Sequence, residues 1–431
     1  MANILFISFS KREPDRLYLD ASVRYRCIFP AEAVNASGGA AHCIHHKQIR
    51  KVILSKYDKI ICHRPRYTQA LKRIVATCKK HKISLQCDWD DLLFSPTHAD
   101  QSPAYLSGQL TLSSSKQEAE NYFKALTLFD HATVSTQALR DELIKAHPKC
   151  ETEVIPNRLP KRWLSTQPLY SNKKLKNKII RYFPGTAHHK SNFEQISDFL
   201  AKYLKKHPDI KLEIVGTLNI DSGKFPESQV QTTPNVLYED LPNIINQSWV
   251  TISPLENTIF NKCKSGLKFW ESGLFAVPVI SSPNPDMDRF ENIGLLQSND
   301  FNEWEDFLDK LHDADFYQQA CNQAYEAAKK AVFDNTPKYL EEYILNMTSN
   351  IGADWSLALI NPAHPKYKEA MKLAKFNTDI PEIEKIKLKR LSNRNTSIYL
   401  QVKQKRLRKL RKLKNNPRLF FKDMIKNILS R

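Results

Sequence analysis

Two lysines and a carboxylate recur at helical spacing within residues 251–281, TISPLENTIFNKCKSGLKFWESGLFAVPVIS. Lys264, Lys268 and Glu271 share one stripe of a helix predicted to open at Lys264, because residues three or four positions apart lie on one face. A helix start that follows a parallel strand suits a phosphate, and the ammonium groups add positive charge. Glu271 can accept hydrogen bonds from sugar hydroxyls. The alternative is a solvated helix face with a Lys268–Glu271 pair.

A second candidate anion site follows the strand predicted at 178–183. Gly185 and Thr186 come directly after it, and Lys190 precedes a helix predicted from about Ser191. This is a phosphate-loop arrangement with one glycine instead of several, so on its own it is a weak indication of function.

Two further groups follow strands in the first part of the chain. Arg24 and Arg26 come after the first strand, and arginine forks can hold a phosphate or a carboxylate; two solvated arginines on a surface loop are the alternative.

Asp88-Trp89-Asp90-Asp91 follows the strand 83–87 and could hold Mg²⁺, cap a helix, or accept hydrogen bonds from sugar hydroxyls through Asp90 or Asp91. His63 could face a sugar or be a buried structural histidine.

The 251–281 segment also shows a family resemblance. The residues that carry it are Phe260, Asn261, Lys264, Ser265, Lys268, Glu271 and Pro278. The segment resembles the donor-nucleotide segment of the retaining GT-B glycosyltransferases of the GT4 type, in particular their bacterial polysaccharide branch. The resemblance is specific over about 178–282 and looser over 1–158. A first family glutamate falls on Cys263 here, and the second, which contacts the nucleotide ribose, corresponds to Glu271.

The resemblance implies a role for each candidate residue. The catalytic set is Lys190, Lys264, Glu271 and Asp91. The donor-binding set is Gly185, Thr186, Asn261, Ser265, Gly266 and Lys268. The acceptor-side set is Arg24, Arg26, His63 and Asp90. It also implies that the lysines stabilise the departing diphosphate, and that neither a cofactor nor a metal is required.

The chain also lacks the residues of several other chemistries. No G-x-S-x-G, H-E-x-x-H or full Walker motif is present, which excludes the corresponding hydrolase, zincin and P-loop classes. The eight cysteines form no C-x-x-C pair, which indicates reduced thiols in a cytosolic protein. Cys43 lies near His42, His45 and His46; a polar surface loop between strands is favoured over a metal cluster there.

Alternating apolar runs and helical patterns indicate parallel βα units in two series. Strands are predicted at 3–9, 59–63, 83–87, 131–134, 152–155, 178–183, 211–215, 235–238, 249–253 and 277–281. Helices are predicted near 67–81, 115–129, 136–146 and 301–347. The expected fold is α/β, a GT-B arrangement of two Rossmann-like doubly wound domains facing a cleft. Its parts are an acceptor-side domain at 1–158, a linker at 159–177, a nucleotide-sugar domain at 178–347, a crossover segment at 348–365 and a tail at 366–431.

The tail carries most of the charge. Residues 366–431 hold 21 Lys and Arg against five Asp and Glu, a net +16 of the +19 for all 431 residues. Leucines among the cations predict basic amphipathic helices that dock on an anionic membrane; a solvated, disordered tail is the alternative. The ending NPRLFFKD resembles a C-terminal signature of bacterial capsule-biosynthesis proteins. No run approaches the roughly 18–20 apolar residues of a membrane span.

These features predict a glycosyltransferase that moves a sugar from a nucleotide-sugar donor to a growing bacterial surface polysaccharide, of capsule or O-antigen type. We expect retention of configuration, a glycan or lipid-linked glycan acceptor, and a cytoplasmic location at the inner face of the cytoplasmic membrane. Capsule assembly proteins are possible partners, and a non-catalytic GT-B-like scaffold of such a complex is the alternative function. Nucleic acid is not expected as a partner, because the tail lacks interleaved aromatic residues for base stacking.

Overall fold

The computed structural model describes residues 3–36, 39–185, 190–218, 220–290 and 292–334. The predictions for the crossover segment 348–365 and the basic tail 366–431 lie outside the described residues, as does Thr186. Both β-sheets of the protein belong to one compact unit. Among the described residues, no helix combines the length and apolarity that a membrane crossing requires.

The first sheet has six parallel strands in the order β2-β1-β3-β4-β5-β6. They are β1 Asn3–Ser8, β2 Ala40–His45, β3 Lys59–His63, β4 Ser84–Trp89, β5 His131–Val134 and β6 Glu151–Val154. The helices of this part are α1 Ala21–Val23, α2 Phe29–Ala36, α3 Gln69–His81, α4 Pro103–Leu106, α5 Leu112–Leu126 and α6 Gln137–Ala146. A π-helical turn, Arg24–Ile28, joins α1 to α2.

The second sheet also has six parallel strands, in the order β12-β11-β10-β7-β8-β9. They are β7 Ile179–Tyr182, β8 Lys211–Val215, β9 Val230–Thr233, β10 Val250–Ser253, β11 Val279–Ser281 and β12 Leu295–Gln297. The helices are α7 Ser171–Lys176, α8 Lys190–Lys206, α9 Leu241–Asn246, α10 Ile259–Lys262, α11 Leu267–Gly273, α12 Phe301–Lys310 and α13 Ala314–Asp334.

Each sheet contains one point at which the strand order reverses. The chain passes from β1 to β2 on one side and then to β3 on the other side of β1; β7 and β10 are related in the same way. The loops that follow such a pair leave the carboxyl edge of the sheet in opposite directions and open a crevice, where open α/β sheets bind their ligands. The loops after β1, β3, β7 and β10 are therefore the candidate ligand-binding loops.

Most predicted strands and helices coincide with observed ones. Two polar edge strands are exceptions, as are β12, which was not predicted, and the helix predicted at 301–347, whose described part is divided into α12 and α13. The segment around His42 and Cys43 was predicted as a polar loop, but it forms β2, in which Cys43 pairs with Phe6 of β1. Residues 235–238 were predicted as a strand, whereas the strand lies earlier, at β9, whose side chains are exposed or half-buried. Edge strands lack the continuous apolar run of a buried parallel strand, which explains both errors.

The segment predicted as a linker is anchored to the second domain. The side-chain ammonium of Lys174 is buried and donates hydrogen bonds to the carbonyls of Phe275 and Ala276, at 2.6 and 2.8 Å. The side chain of Asn246 bonds the backbone of Gln167 and Leu169. These hydrogen bonds pair buried polar groups of the segment with the second domain at several points. The segment therefore contributes to the structure of the second domain and does not only join two domains.

The close approach of α11 to α13 requires a glycine. A Cβ at Gly273 would lie 2.7 Å from the carbonyl oxygen of Ala324 and 2.7 Å from the Cβ of Ala328. We therefore expect Gly273→Ala to lower the free energy of unfolding by about 1–3 kcal/mol through overpacking, measured by urea denaturation. Gly223→Ala is the matched control, since its Cβ would meet only Asp221, at 3.4 Å. Equal stability of the two variants would contradict this account of the packing.

Candidate functional site

The loop after β10 leaves its own sheet and packs into the first domain. Phe260 and Cys263 are buried within the apolar cluster that covers the first sheet. The backbone N–H of Ile259 donates to the side chain of Gln101 at 2.7 Å, and the hydroxyl of Thr136 donates to the carbonyl of Cys263 at 2.8 Å. These contacts join loops at the carboxyl edges of both sheets, so the two edges face each other here.

Cys263 is part of the apolar contact between the domains. Burial raises the pKa of its thiol to about 12, so the sulfur stays protonated. This is the position at which the resembled family carries its first glutamate. In this chain the position serves packing, and it presents no charged group to a ligand.

The next residue, Lys264, places a desolvated cation at the junction of the two domains. Burial lowers the pKa of Lys264 below the ordinary lysine value; the charges of Asp91 and Asp90 oppose this shift, and those of Arg64 and Lys268 add to it. Its ammonium lies 5.5 Å from the ring centroid of Phe260. No hydrogen bond or ion pair joins this ammonium to another side chain in the described part of the chain. A partly buried cation without a paired carboxylate favours an anionic ligand.

Glu271 lies buried between the domains. One carboxylate oxygen accepts a hydrogen bond from the hydroxyl of Tyr25 at 2.5 Å, and the other lies 3.4 Å from the ammonium of Lys268. Tyr25 also contacts the hydroxyl of Tyr238, at 2.9 Å. Burial and the charge of Glu271 raise the pKa of Tyr25, which keeps the phenol protonated as a donor. The predicted ribose contact of Glu271 stays a prediction.

The helix after this loop begins later than predicted. α11 starts at Leu267, so Lys264 and Ser265 lie in the preceding turn. The backbone N–H of Gly266 donates to the carboxylate of Asp286 at 2.6 Å, so this helix start already has a negative partner. A Cβ at Gly266 would lie 2.9 Å from the side chain of Met287, which makes this glycine a packing requirement.

Ser265 and Asn261 occupy different environments. The hydroxyl of Ser265 accepts a hydrogen bond at 2.9 Å from Asn157, in the loop after β6, and so links the domains. Asn261 is buried, and its amide donates to the carbonyl of Glu256 at 3.0 Å. Asn261 thus stabilises the turn of its own loop, and its donor-binding role stays a prediction.

The loop after β7 lies beside the same loop. Gly185 has a φ of +75°, a conformation that favours glycine, with open space where a side chain would start. At the start of α8, Ser191 donates to the carboxylate of Glu256 at 2.8 Å. Lys190 is exposed and lies 3.2 Å from Glu194. The contacts of the described residues do not bring Lys190 to Lys264, while the ammonium of Lys268 lies 5.8 Å from the ring of Phe183.

In the first domain, Arg26 differs from its predicted role. Its guanidinium is buried and binds both oxygens of Asp88, at 2.5 and 3.0 Å, and the carbonyl of Ile155 at 2.5 Å. Arg26 was predicted to face the acceptor, but these bonds orient it toward the interior of its own domain. Burial alone would raise the pKa of Asp88, but Arg26 and His63 hold it well below its ordinary value.

Arg24, its neighbour, faces the second domain. Its guanidinium lies 4.4 Å from the ring centroid of Tyr238 and donates to the carbonyl of Tyr18 at 2.6 Å. The hydroxyl of Tyr18 donates to Glu239 of the second domain. Arg24 thus makes a cation–π contact across the domain boundary. A guanidinium can bind an aromatic ring as well as an anion, so this contact does not itself indicate an anionic ligand. Its acceptor-side role stays a prediction.

His63 belongs to a buried polar chain. Its Nδ1 lies 2.9 Å from Asp88, and its Nε2 lies 2.7 Å from the hydroxyl of Ser22. Ser22 donates in turn to Asp90 at 2.7 Å. Sequence reasoning did not select Ser22, because a lone serine forty-one positions from His63 carries no spacing signal.

Arg64 is a second residue that the sequence analysis missed. It follows β3 with a φ of +47° and donates to Asp90 at 2.6 Å and to Asp91 at 2.5 Å. Burial would raise the pKa of Asp90, but Arg64 and His63 lower it overall, so the carboxylate is ionised. Arg64 was missed because its sequence position does not reveal its positive φ, which is uncommon for a residue other than glycine.

No protein-family model and no curated protein sequence matches the chain. The structure resembles Anabaena Alr3699/HepE in complex with UDP, with 15% identity and a TM-score of 0.53 over 79% of this chain and 99% of that one. The same protein in complex with UDP-glucose gives 15% identity and a TM-score of 0.51, over 80% and 99%.

A second similar structure is sucrose-phosphate synthase from Thermosynechococcus elongatus. It shares 11% identity and a TM-score of 0.52, over 80% of this chain and 100% of that one. The chain has the GT-B fold. The prediction of two doubly wound α/β domains is thereby confirmed, and at these identities the likeness concerns the fold alone. In the GT-B fold of this chain, both strand-order reversals contribute loops to the junction around Lys264.

The buried pair of Arg26 and Asp88 provides a stability test. We expect Asp88→Ala to lower the free energy of unfolding by about 3–5 kcal/mol, because a buried guanidinium then lacks its partner. Asp198→Ala is the control: its carboxylate is exposed and pairs with Lys224 at 2.9 Å, so urea denaturation should show little change.

The same pair has a defined pH dependence. Because the pKa of Asp88 is depressed, its ionised form stabilises the fold above the ordinary value of 3.8, and this contribution is lost as the pH falls toward the lowered pKa. In Asp88→Ala, the free energy of unfolding should therefore fall less than in the parent as the pH is lowered through this range. Identical acid profiles of variant and parent would contradict the assignment.

Proposed function

We propose that the protein transfers a sugar from a nucleotide diphosphate donor, of the UDP-sugar class, to a glycan acceptor. The observation that carries this proposal is the partly buried ammonium of Lys264 at the junction of the two domains, which has no paired carboxylate among the described residues. Similar structures of the same fold hold UDP and UDP-glucose, which supports the choice of donor class.

A cation at this place suits the chemistry of sugar transfer. As the bond between the sugar's anomeric carbon and the diphosphate oxygen breaks, negative charge accumulates on the departing diphosphate. A fixed ammonium in a site of low dielectric stabilises that charge more strongly than water does. Lys264 would therefore bind the diphosphate, with Lys268 and the exposed Lys190 as the additional cations of the donor site.

Asp91 and Asp90 would form the opposite side of the reaction site. Arg64 binds both carboxylates, and Asp91 is the more accessible, with 25% of its side chain exposed against 9% for Asp90. An ionised, oriented carboxylate can accept hydrogen bonds from sugar hydroxyls and hold the acceptor in line. In this proposal Arg64 is a positioning residue and Asp91 contacts the sugar.

A divalent metal does not fit the Asp-x-Asp sequence as this chain uses it. Asp88 accepts hydrogen bonds from Arg26 and His63, and Asp90 accepts from Ser22 and Arg64. The protein's own donors thus occupy the oxygens that Mg²⁺ would need. The proposed transfer therefore relies on lysine cations rather than on a metal at this place.

The finer assignments rest on the resemblance and on the charge of the tail. We propose a growing bacterial surface polysaccharide, of capsule or O-antigen type, as acceptor, with retention of configuration. The carboxylate of Glu271 would accept a hydrogen bond from a ribose hydroxyl in place of the one from Tyr25. The +16 charge of residues 366–431 supports docking at the anionic inner face of the cytoplasmic membrane.

The donor site is tested by removing the charge of Lys264. We expect UDP to raise the Tm of the parent protein, and Lys264→Met to weaken UDP binding about 10- to 100-fold, as the loss of one charge-assisted contact does. Uridine, which lacks phosphate, should bind parent and variant equally. Lys205→Met, at an exposed site near the end of α8, is the matched control and should bind UDP like the parent.

Two outcomes would contradict the donor site. Equal UDP affinity of Lys264→Met and the parent would remove Lys264 from the site. If none of UDP, GDP, CMP and dTDP or their sugar derivatives shifts the Tm, sugar transfer itself is contradicted, and the alternative of a non-catalytic GT-B-like scaffold is favoured.

A further inference from the structure

Three metal-ligating side chains meet outside the site between the domains. His207 directly follows α8, Asp309 lies in the last turn of α12, and His312 follows that helix. One ligand atom from each lies within 4.8 Å of the others. The Nε2 of His207 is 3.7 Å from a carboxylate oxygen of Asp309. The cluster therefore joins two helix ends that are about a hundred residues apart in the sequence.

His207 presents a buried ring nitrogen that has no hydrogen-bond partner among the described residues. Its Nε2 is inaccessible to solvent and bonds no other atom of the described residues, although buried polar groups normally find a partner. The ring is fixed in place: it stacks on Tyr203 with centroids 4.3 Å apart, and the backbone carbonyl accepts from Gln229 at 2.9 Å. The Nε2 of His207 faces the carboxylate of Asp309 at 3.7 Å, which is too far for a hydrogen bond. This spacing leaves room for a cation that bridges the two groups.

The other two ligands are also oriented by their neighbours. Asp309 accepts a hydrogen bond at 3.0 Å from the hydroxyl of Tyr203, which lies 3.4 Å from the Nε2 of His312. The ring of His312 packs against Trp249, with centroids 5.2 Å apart. A phenol that bonds a ligating carboxylate is typical of the outer shell that fixes metal ligands in position.

The charge around the cluster permits a dication. Two lysines lie nearby, and each has a carboxylate partner: Lys178 pairs with Asp209 at 2.8 Å, and Lys206 pairs with Glu305 at 2.7 Å. Asp309 thus adds a net negative charge at the cluster. Two imidazole nitrogens and a carboxylate oxygen form a donor set that Zn²⁺ prefers.

We propose that His207, Asp309 and His312 bind one Zn²⁺, which clips the end of α8 to the end of α12. Tetrahedral zinc places its ligand atoms about 3.3 Å apart, so small side-chain rotations from the observed spacing suffice. Water would take the fourth position, while the hydroxyl of Tyr203 keeps Asp309 oriented. This site stabilises the second domain and is independent of the proposed sugar transfer.

The test uses the full chain, with any histidine tag removed and metal stripped by a chelator. Titration with Zn²⁺ should show one ion bound per chain and a rise in Tm that the chelator reverses. Co²⁺ should give the visible absorption of a tetrahedral site without thiolate charge-transfer bands, because the ligands are not cysteines. The absence of saturable binding, or thiolate bands in the spectrum, would overturn the proposal.

Variants assign the ligands. His312→Ala and the conservative, exposed Asp309→Asn should abolish the zinc-dependent rise in Tm, while their stabilisation by UDP stays that of the parent. His131→Ala is the control, since the side chain of this exposed histidine pairs with Glu151 at 3.1 Å, and the variant should bind zinc normally. Zinc binding retained by Asp309→Asn, or lost in His131→Ala, would contradict the assignment.

Discussion

The arrangement of the whole junction depends on the burial of one loop of the second domain in the core of the first. Phe260 and Cys263 contribute apolar surface to a cluster that otherwise belongs to the first sheet. Burying a phenylalanine side chain contributes about 1.5–3 kcal/mol, and the hydrogen bonds from Gln101 and Thr136 add direction to that contact. This constraint carries Lys264 away from its own sheet and toward the aspartates of the first domain.

A continuous chain of charged and polar groups prepares the other side of the junction. It runs from Arg26 through Asp88, His63, Ser22 and Asp90 to Arg64 and Asp91. Each carboxylate in it has donors from at least one cationic group, and these donors keep Asp88 and Asp90 ionised despite burial. Such a network holds its members in one geometry, so the carboxylates need little reorganisation when a charged ligand arrives.

The sequence was most informative where apolar runs mark buried parallel strands, and least informative at sheet edges. Strands such as Lys59–His63 and His131–Val134 have the predicted bounds, whereas β2 was hidden by its histidines. The chain of polar groups from Arg26 to Asp91 could be predicted from the sequence only in part. Residue type and position after a strand selected His63 and Asp90, but Ser22 and Arg64 belong to the chain only through contacts distant in sequence.

The orientation of Arg26 and the cluster of His207, Asp309 and His312 could not be predicted for the same reason: both depend on tertiary contacts. The orientation of an arginine after a strand is decided by its packing partners, and Asp88 and Ile155 draw Arg26 inward. His207 and His312 have no spacing that indicates a metal, because the approach of α8 to α12 alone brings them together. Tertiary contacts of this kind are not encoded in local periodicity.

The most direct test of the central claim is proton uptake on UDP binding, measured by calorimetry at alkaline pH in buffers of different ionisation enthalpy. Burial lowers the pKa of Lys264 below the ordinary value of 10.5, and a bound diphosphate should raise it again. We therefore predict that the parent protein takes up protons on binding UDP at a pH below 10.5 and above the lowered pKa, and that Lys264→Met does not. Equal proton uptake by both proteins would contradict the claim that this ammonium binds the donor diphosphate.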